Sequence, residues 1–238
     1  MTGIYRAWPA LIGLVVVLTG CASISVEQGS VSNTKQKPKK VYVADFSTAK
    51  GEFNVDREGK ELSEFKKNLR GMMLAGITYD LSKRLLPAVP AAKKPFGDHE
   101  DAWLICGQFV KVNQGSRALR GIVGFGAGGT KMICKVQVYD LAGDMTKPFL
   151  TFTTTGGSNA EPGAVTAIAT TPLMIAIQAA ASSAGGLAHG VSEDTARTTR
   201  EITAELSDYM YQRHWITEDQ WIKPKSYTPE TSLPPSAQ

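Results

Sequence analysis

Metal sites and thiol chemistry need residues that this sequence has little of: 238 residues hold three Cys and three His. The Cys stand far apart, at 21, 106 and 134, so no metal-ligand spacing arises, and we expect no metal and no cofactor. Strong charge bias is also missing. Lys and Arg number 26 against 22 Asp and Glu, a net +4 that is too small and scattered for a nucleic-acid footprint. No unbroken apolar run reaches the about twenty residues that a comfortable membrane span needs. The marks of familiar hydrolases are incomplete. Ser47–Lys50 and Ser63–Lys66 each match S-x-x-K, but K-T-G, S-D-N and G-x-S-x-G are absent. We therefore expect a non-enzymatic protein. What is present, 42% hydrophobic and 20% charged residues, is globular and excludes a wholly disordered or collagen-like chain.

The first twenty residues read as an address. Met1 to Arg6 carries one positive charge, and Trp8 to Leu18 is an apolar run. Eleven helical residues would span about 16 Å, half a bilayer core, which suits a secretory signal peptide over residues 1–20. The run ends in Leu18-Thr19-Gly20-Cys21, which resembles the bacterial lipobox. That resemblance implies cleavage before Cys21, diacylglyceryl attachment to its sulfur and acylation of the new amino terminus. In such lipoproteins an Asp after the Cys marks inner-membrane retention. Here Ala22 follows, which implies the outer membrane, with the domain facing the periplasm. Several acyl chains make a durable anchor, since each buried CH₂ adds about 0.8 kcal/mol.

Residues 21–40 read as the lipidated Cys and a flexible tether, with Lys35, Lys37, Lys39 and Lys40 and little to bury. Such a chain would reach about 25 Å. Residues 41–222 read as a single α+β domain. Val41 to Phe46 is β-branched and aromatic, as a strand should be. Leu62, Phe65, Leu69, Met72, Met73, Ile77, Leu81 and Leu85 recur at three- and four-residue steps, predicting a helix from about Glu61 to Leu86, ended by Pro87. Ala102–Val112 alternates, with Leu104, Cys106, Val110 and Val112 sharing one face; Lys131–Leu141 does so with Met132, Cys134, Val136 and Val138. Phe149–Thr155 is a further strand. The predicted fold is a mostly antiparallel sheet of about four strands, helices on one face, with a βαβ crossover joining the first two strands. Ser192 is a predicted N-cap, with Glu193 and Asp194 in the first turn of a closing helix to about His214. Residues 223–238, rich in Pro, read as a disordered tail.

Several groupings deserve a chemical reading. Cys106 and Cys134 would sit opposite each other in a hairpin centred near residue 120, either as a disulfide or as two small buried hydrophobes. Asp98 to Asp101 reads as a solvated loop, with a weak metal site as the alternative. Gly124, Gly126 and Gly129 spell G-x-G-x-x-G, but a strand rather than a helix follows, so dinucleotide binding is not expected. Arg117 and Arg120, flanked by glycines, form either a structural pair or an oxyanion-binding loop together with Gly124, Gly126 and Gly128. From Pro162 through Ser192 there is no Asp, Glu, Lys or Arg, and Ala176, Ala180, Ala184 and Ala188 fall at four-residue spacing. That stretch, 163–190, suits close helix packing in a domain, or a membrane-touching or oligomer-forming element.

The run GQFVKVNQGSRALRGIVGFGAGGTKMICKVQVYDLAG, residues 107–143, with FLTFTTTGGS after it, resembles a bacterial lipoprotein family known only as domain of unknown function 4410. That family's pattern is an alternating strand, a G-S/N-R-A-x-R turn, G-x-G-A-G, then V-x-V-x-D. Gly115, Arg117, Arg120, Gly124, Gly126 and Gly128 match it; its later T-G turn is here Ala142-Gly143-Asp144. The resemblance covers roughly residues 100–190 and implies the fold and the lipoprotein class, without an activity. The leading expectation is an outer-membrane-anchored interaction module in envelope assembly or transport. Its partners would be the membrane, through the lipid, and an envelope protein, with no nucleic acid and homo-oligomers open. Alternatives are an oligomeric pore or export component built through residues 163–190, and an anion- or glycan-binding protein using the Arg117/Arg120 loop.

Overall fold

Alternation and helical periodicity set the order of elements in a computed structural model that describes residues 24–34, 36–91, 100–115, 130–158, 171–181 and 189–224. Strands β1 (Ile24–Val31), β2 (Lys40–Val43) and β3 (Glu52–Asn54) precede helix α1 (Gly59–Arg84). Then come β4 (Ala88–Pro90), β5 (Ala102–Asn113), β6 (Thr130–Asp140) and β7 (Leu150–Ser158). Helices α2 (Pro172–Ala180) and α3 (His189–Tyr211) and a 3-10 turn at Glu218–Gln220 complete the described chain.

The sheet has seven strands in the order β1-β7-β6-β5-β2-β4, with β3 beside β5. It is mixed. β1, β7, β6 and β5 pair antiparallel, while β2, β3 and β4 join in parallel. The expected four-stranded, mostly antiparallel sheet is therefore corrected. The four expected strands are there, and β2 and β5 do flank α1 as parallel neighbours. The additional strands are β1, β3 and β4. β3 and β4 are three residues each, too short to show alternation, and β4 starts just after Pro87 and ends at Pro90. β1 lies in a polar segment.

That segment was expected to be a free tether. Instead Ile24–Gln28 pairs with Phe152–Gly156, making β1 an edge strand of the sheet. Past it, Ser32 N donates to Phe149 O at 2.7 Å and Thr34 N to the Tyr209 hydroxyl at 3.0 Å. Lys37 Nζ donates to Trp215 O at 3.0 Å, and Lys39 pairs with Asp101 at 2.8 Å. Lys40 and the Tyr42 hydroxyl both meet Glu100. Three of the four lysines assigned to a tether thus fasten the chain to the domain. Of the expected Asp98–Asp101 loop, Glu100 and Asp101 are held by lysine ammoniums, and Asp98 and His99 lie outside the described residues. The hydrogen bond from Lys40 holds the Glu100 carboxyl below its usual range, and that from Lys39 does the same for Asp101.

One face of the sheet carries the core. α1 buries Phe65, Leu69, Met72, Met73, Ile77 and Leu81, the stripe its periodicity predicts. It ends at Arg84, two residues before the expected Leu86, with Lys83 and Arg84 in the last turn, where the helix dipole favours cations. α3 lies beside α1 on β6 and β7. α2 packs on α1 and α3. At the Val31 end of the sheet, fully buried Trp103 meets Phe149 at 4.8 Å and Tyr209 at 5.6 Å between ring centres. Burying each such side chain contributes about 1.5–3 kcal/mol.

β5 differs from its expected facing. Trp103, Ile105 and Phe109 point into the core with Val112, while Leu104 and Cys106 lie on the other face. A bulge between Phe109 and Lys111 changes the parity, so one strand carries two alternations. Gly107 is required within it. A Cβ there would meet the Phe46 ring at 2.3 Å.

Candidate functional site

The structure does not bring Cys106 and Cys134 together. Cys106 stands opposite Gln137, and Cys134 opposite Phe109. Pairing is displaced by three positions from the expected one, an odd number, so the two thiols sit on opposite faces. Both are free. Burial raises the pKa of both, that of Cys134 strongly. Cys21, Arg117, Arg120, Gly124, Gly126 and Gly128 lie outside the described residues. The turn leading to the Arg-Gly loop is described: Gly115, at φ 76°, donates its N–H to Asn113 Oδ1 at 2.8 Å. Of residues 163–190, the part seen as α2 folds onto α1 and α3. No described helix is long and apolar enough to cross a membrane.

α3 carries the polar surprise. It begins at His189, so Ser192 is not an N-cap, and Glu193 and Asp194 lie beyond the first turn. Every residue from Val191 to Met210 is buried except Arg200, which is half-buried. Arg197 Nη1 donates to Asp194 Oδ1 at 2.7 Å, and its Nη2 reaches Glu193 Oε2 at 3.4 Å. Burial raises the Asp194 pKa, opposed by the Thr130 hydroxyl and by Arg197.

Between the last turns of α1, the start of α2 and the middle of α3 lies a cleft of about 630 Å³. Its walls follow from helix spacing. Asp80 and Arg84, four residues apart, share a face of α1 and pair at 3.1 Å. Arg197, Arg200 and Glu201 project from α3, with Arg200 paired to Glu201. Thr171 caps α2, its hydroxyl accepting from Met174 N at 3.3 Å, and Pro172 follows at a position where its missing N–H costs nothing.

Charge in this cleft is paired: buried Arg197 is held by Asp194 and Glu193, Arg84 by Asp80 and Arg200 by Glu201. The carboxylates lie deep, with side-chain exposures of 5% for Asp80 and 0% for Glu201. The cations Arg84, Arg200 and Lys83 reach the rim; the first two are 47% and 34% exposed. Asp80 spends Oδ1 on Arg84, while its Oδ2, closed to solvent, has no hydrogen-bond partner among the described residues. A second hollow of about 570 Å³ adjoins across Tyr79 and Lys83, which line both. It is an apolar groove floored by Gly71, Leu74 and Ala75 of α1 and Ala176 and Ala180 of α2. The two hollows thus place the partly exposed guanidiniums of Arg84 and Arg200 beside an apolar groove.

Sequence reasoning missed this site. Asp80/Arg84 and Arg197/Arg200/Glu201 show ordinary surface-pair spacing, and only the packing of three helices turns them inward. The signal that could have found the α3 members is the concentration of acid and base that directly follows the uncharged stretch from Pro162 through Ser192.

No curated protein matches the sequence. Among solved structures, the PelC dodecamer from Paraburkholderia phytofirmans is similar to this chain at 10% identity and a TM-score of 0.35. It covers 74% of this chain and 94% of its own. A dodecamer of a single-residue variant of that protein gives the same identity and TM-score, covering 74% and 93%. A family model matches residues 41–176, more than half of the chain, from β2 through α1 and the β5–β7 meander into α2. The chain belongs to the family described as Domain of unknown function (DUF4410).

Proposed function

We propose that the protein is a lipoprotein anchored in the outer membrane through Cys21 and serves there as a non-enzymatic interaction module of the cell envelope. One observation carries this reading: Ile24, three positions after the lipobox Cys, already pairs with Gly156 as the start of β1. Three residues extend at most about 11 Å. A lipid on Cys21 would therefore hold one end of the sheet close to the bilayer, rather than let the domain stand off by a long tether. The same end of the sheet holds Asn113, Thr130 and Ser158, the strand ends on either side of the Arg-Gly loop and the strand end that leads toward the uncharged stretch. Those segments would then depart from the membrane-proximal end, where an envelope partner is within reach.

The test is a cell fractionation with metabolic palmitate labelling. The wild type is expected in outer membranes and labelled, and Cys21→Ala unlabelled and released from them. A labelled Cys21→Ala protein refutes the anchor. An affinity pull-down from solubilised envelopes tests the module. A specific envelope protein should come down with the wild type, and its recovery should fall when Arg117 and Arg120 are both replaced by Ala.

A further inference from the structure

We infer that the cleft between α1, α2 and α3 binds a small organic anion, a carboxylate or phosphate monoester carried on a compact apolar body. What a ligand can touch there decides its charge. Four cations, Lys83, Arg84, Arg197 and Arg200, and two carboxylates, Asp80 and Glu201, line the cleft. The carboxylates are closed to a ligand, with side chains 5% and 0% exposed. Buried Arg197 is held by Asp194 and Glu193. The charges left open are Arg84 and Arg200, on helices that pack against each other, and Lys83 beside Arg84. A ligand therefore meets donors and positive charge at contact distance. The carboxylates stand behind the guanidiniums and hold them in place.

Unspent donors are the second observation. Arg84 meets Asp80 through Nε, and Arg200 meets Glu201 through Nη1. Among the described residues nothing claims the Nη fork of Arg84 or the Nη2 of Arg200. Lys83 has no carboxylate partner among them either; its ammonium lies 5.9 Å from the centre of the Tyr79 ring. A guanidinium pinned through one nitrogen keeps its orientation and has its remaining N–H groups left for an oxyanion, in the fork geometry that carboxylate and phosphate fit. The N-terminal end of α2, Thr171 to Leu173, lines the same cleft and adds partial positive charge. The rest of the wall sets the body of the ligand. Tyr79, Pro172, Leu173 and Ala196 are largely apolar, and a bare inorganic anion would leave most of the 630 Å³ unfilled. Neither the cleft nor its donors depend on lipidation of Cys21 or on an envelope partner, so this inference stands or falls apart from the proposed function.

The experiment is isothermal titration calorimetry of the full chain with four water-soluble probes: naphthyl phosphate, naphthoate, the cation naphthylmethylammonium and inorganic phosphate. One naphthyl anion per chain should bind, about tenfold more tightly than the naphthyl cation or inorganic phosphate, the ratio that one charge-assisted hydrogen bond supports. The tighter of the two naphthyl anions identifies the head group, phosphate or carboxylate, that the cleft takes. Arg84→Gln and Arg200→Gln should each weaken both anions about tenfold. Lys83→Gln, at an exposed side chain without a carboxylate partner among the described residues, should leave the thermal melt unchanged and weaken both anions about threefold. This variant decides the matter if the arginine variants prove unfolded. Equal binding of the naphthyl cation, no binding of either naphthyl anion, or an affinity that Lys83→Gln and the folded arginine variants leave unchanged would overturn the inference.

Discussion

α1 and α3 lie side by side on one face of the same sheet, yet they are built on different rules. α1 buries one stripe and leaves Lys60, Ser63, Glu64 and Lys67 in water. α3 is buried on nearly all sides while carrying Glu193, Asp194, Arg197, Glu201, Glu205 and Asp208. A helix with one wet face can keep its charges there at no cost. A helix covered on all sides must pair them internally, and α3 does so with Arg197 on Asp194 and Glu193. The difference teaches that a helical period shows where the apolar stripe lies and says little about what covers the remainder.

Substitutions can break or sharpen this contrast. The largest expected loss is at Asp194→Ala, about 3 kcal/mol, because a buried guanidinium loses its closest carboxylate. Glu193 stays near it and keeps the loss at the low end. On the sheet-facing stripes the two helices should behave alike. Leu69→Ala and Leu206→Ala are each expected to cost roughly 2–3 kcal/mol in urea unfolding. Gly76→Ala should cost about 1–2 kcal/mol, since the new Cβ would lie 2.7 Å from Thr199 Oγ1 and 3.1 Å from Ile177, where all three helices meet. Lys67→Ala, on the wet face of α1, should change stability by less than about 0.5 kcal/mol.

Acidity separates the regions with opposite sign. Burial raises the Asp208 carboxyl, which accepts from Trp221 Nε1 at 3.0 Å. A raised folded value means that protonation favours the fold, so this group's penalty is present at neutral pH and fades as pH falls through that value. Asp208→Asn should therefore melt higher than wild type at pH 7, with the gap closing toward pH 4. Glu100 and Asp101 lie low because of their lysines, so their contribution is present at neutral pH and is lost as pH falls below the ordinary carboxylate range.

The contrast also explains what was legible in the sequence. α1 was readable to within two residues, because a single stripe of Phe65, Leu69, Met73 and Ile77 dominates its pattern. The meander β5–β7 was readable as strands but not in facing. The Phe109/Lys111 bulge reverses parity midway, so the face containing Cys106 looked continuous with that of Val112 when it is its opposite. The larger residues Trp103, Ile105 and Phe109 on the other parity, and a lone Gly107 between them, were the available signal. β1 was hidden by its polarity, although Ile24 and Val26 alternate with Ser25 and Glu27, because an edge strand needs few apolar residues to pair. The cleft was not readable. Its charges come from helices more than a hundred residues apart, and helix spacing alone makes them ordinary surface pairs.

The proposed anchor at Cys21 would lie three residues before the sheet, and the mass of the N-terminal peptide of the protein isolated from membranes tests that proposal directly. The predicted result is a peptide beginning at Cys21 that carries a diacylglyceryl group and an amide-linked acyl chain. A peptide beginning at Met1, or an unmodified Cys21, would contradict it.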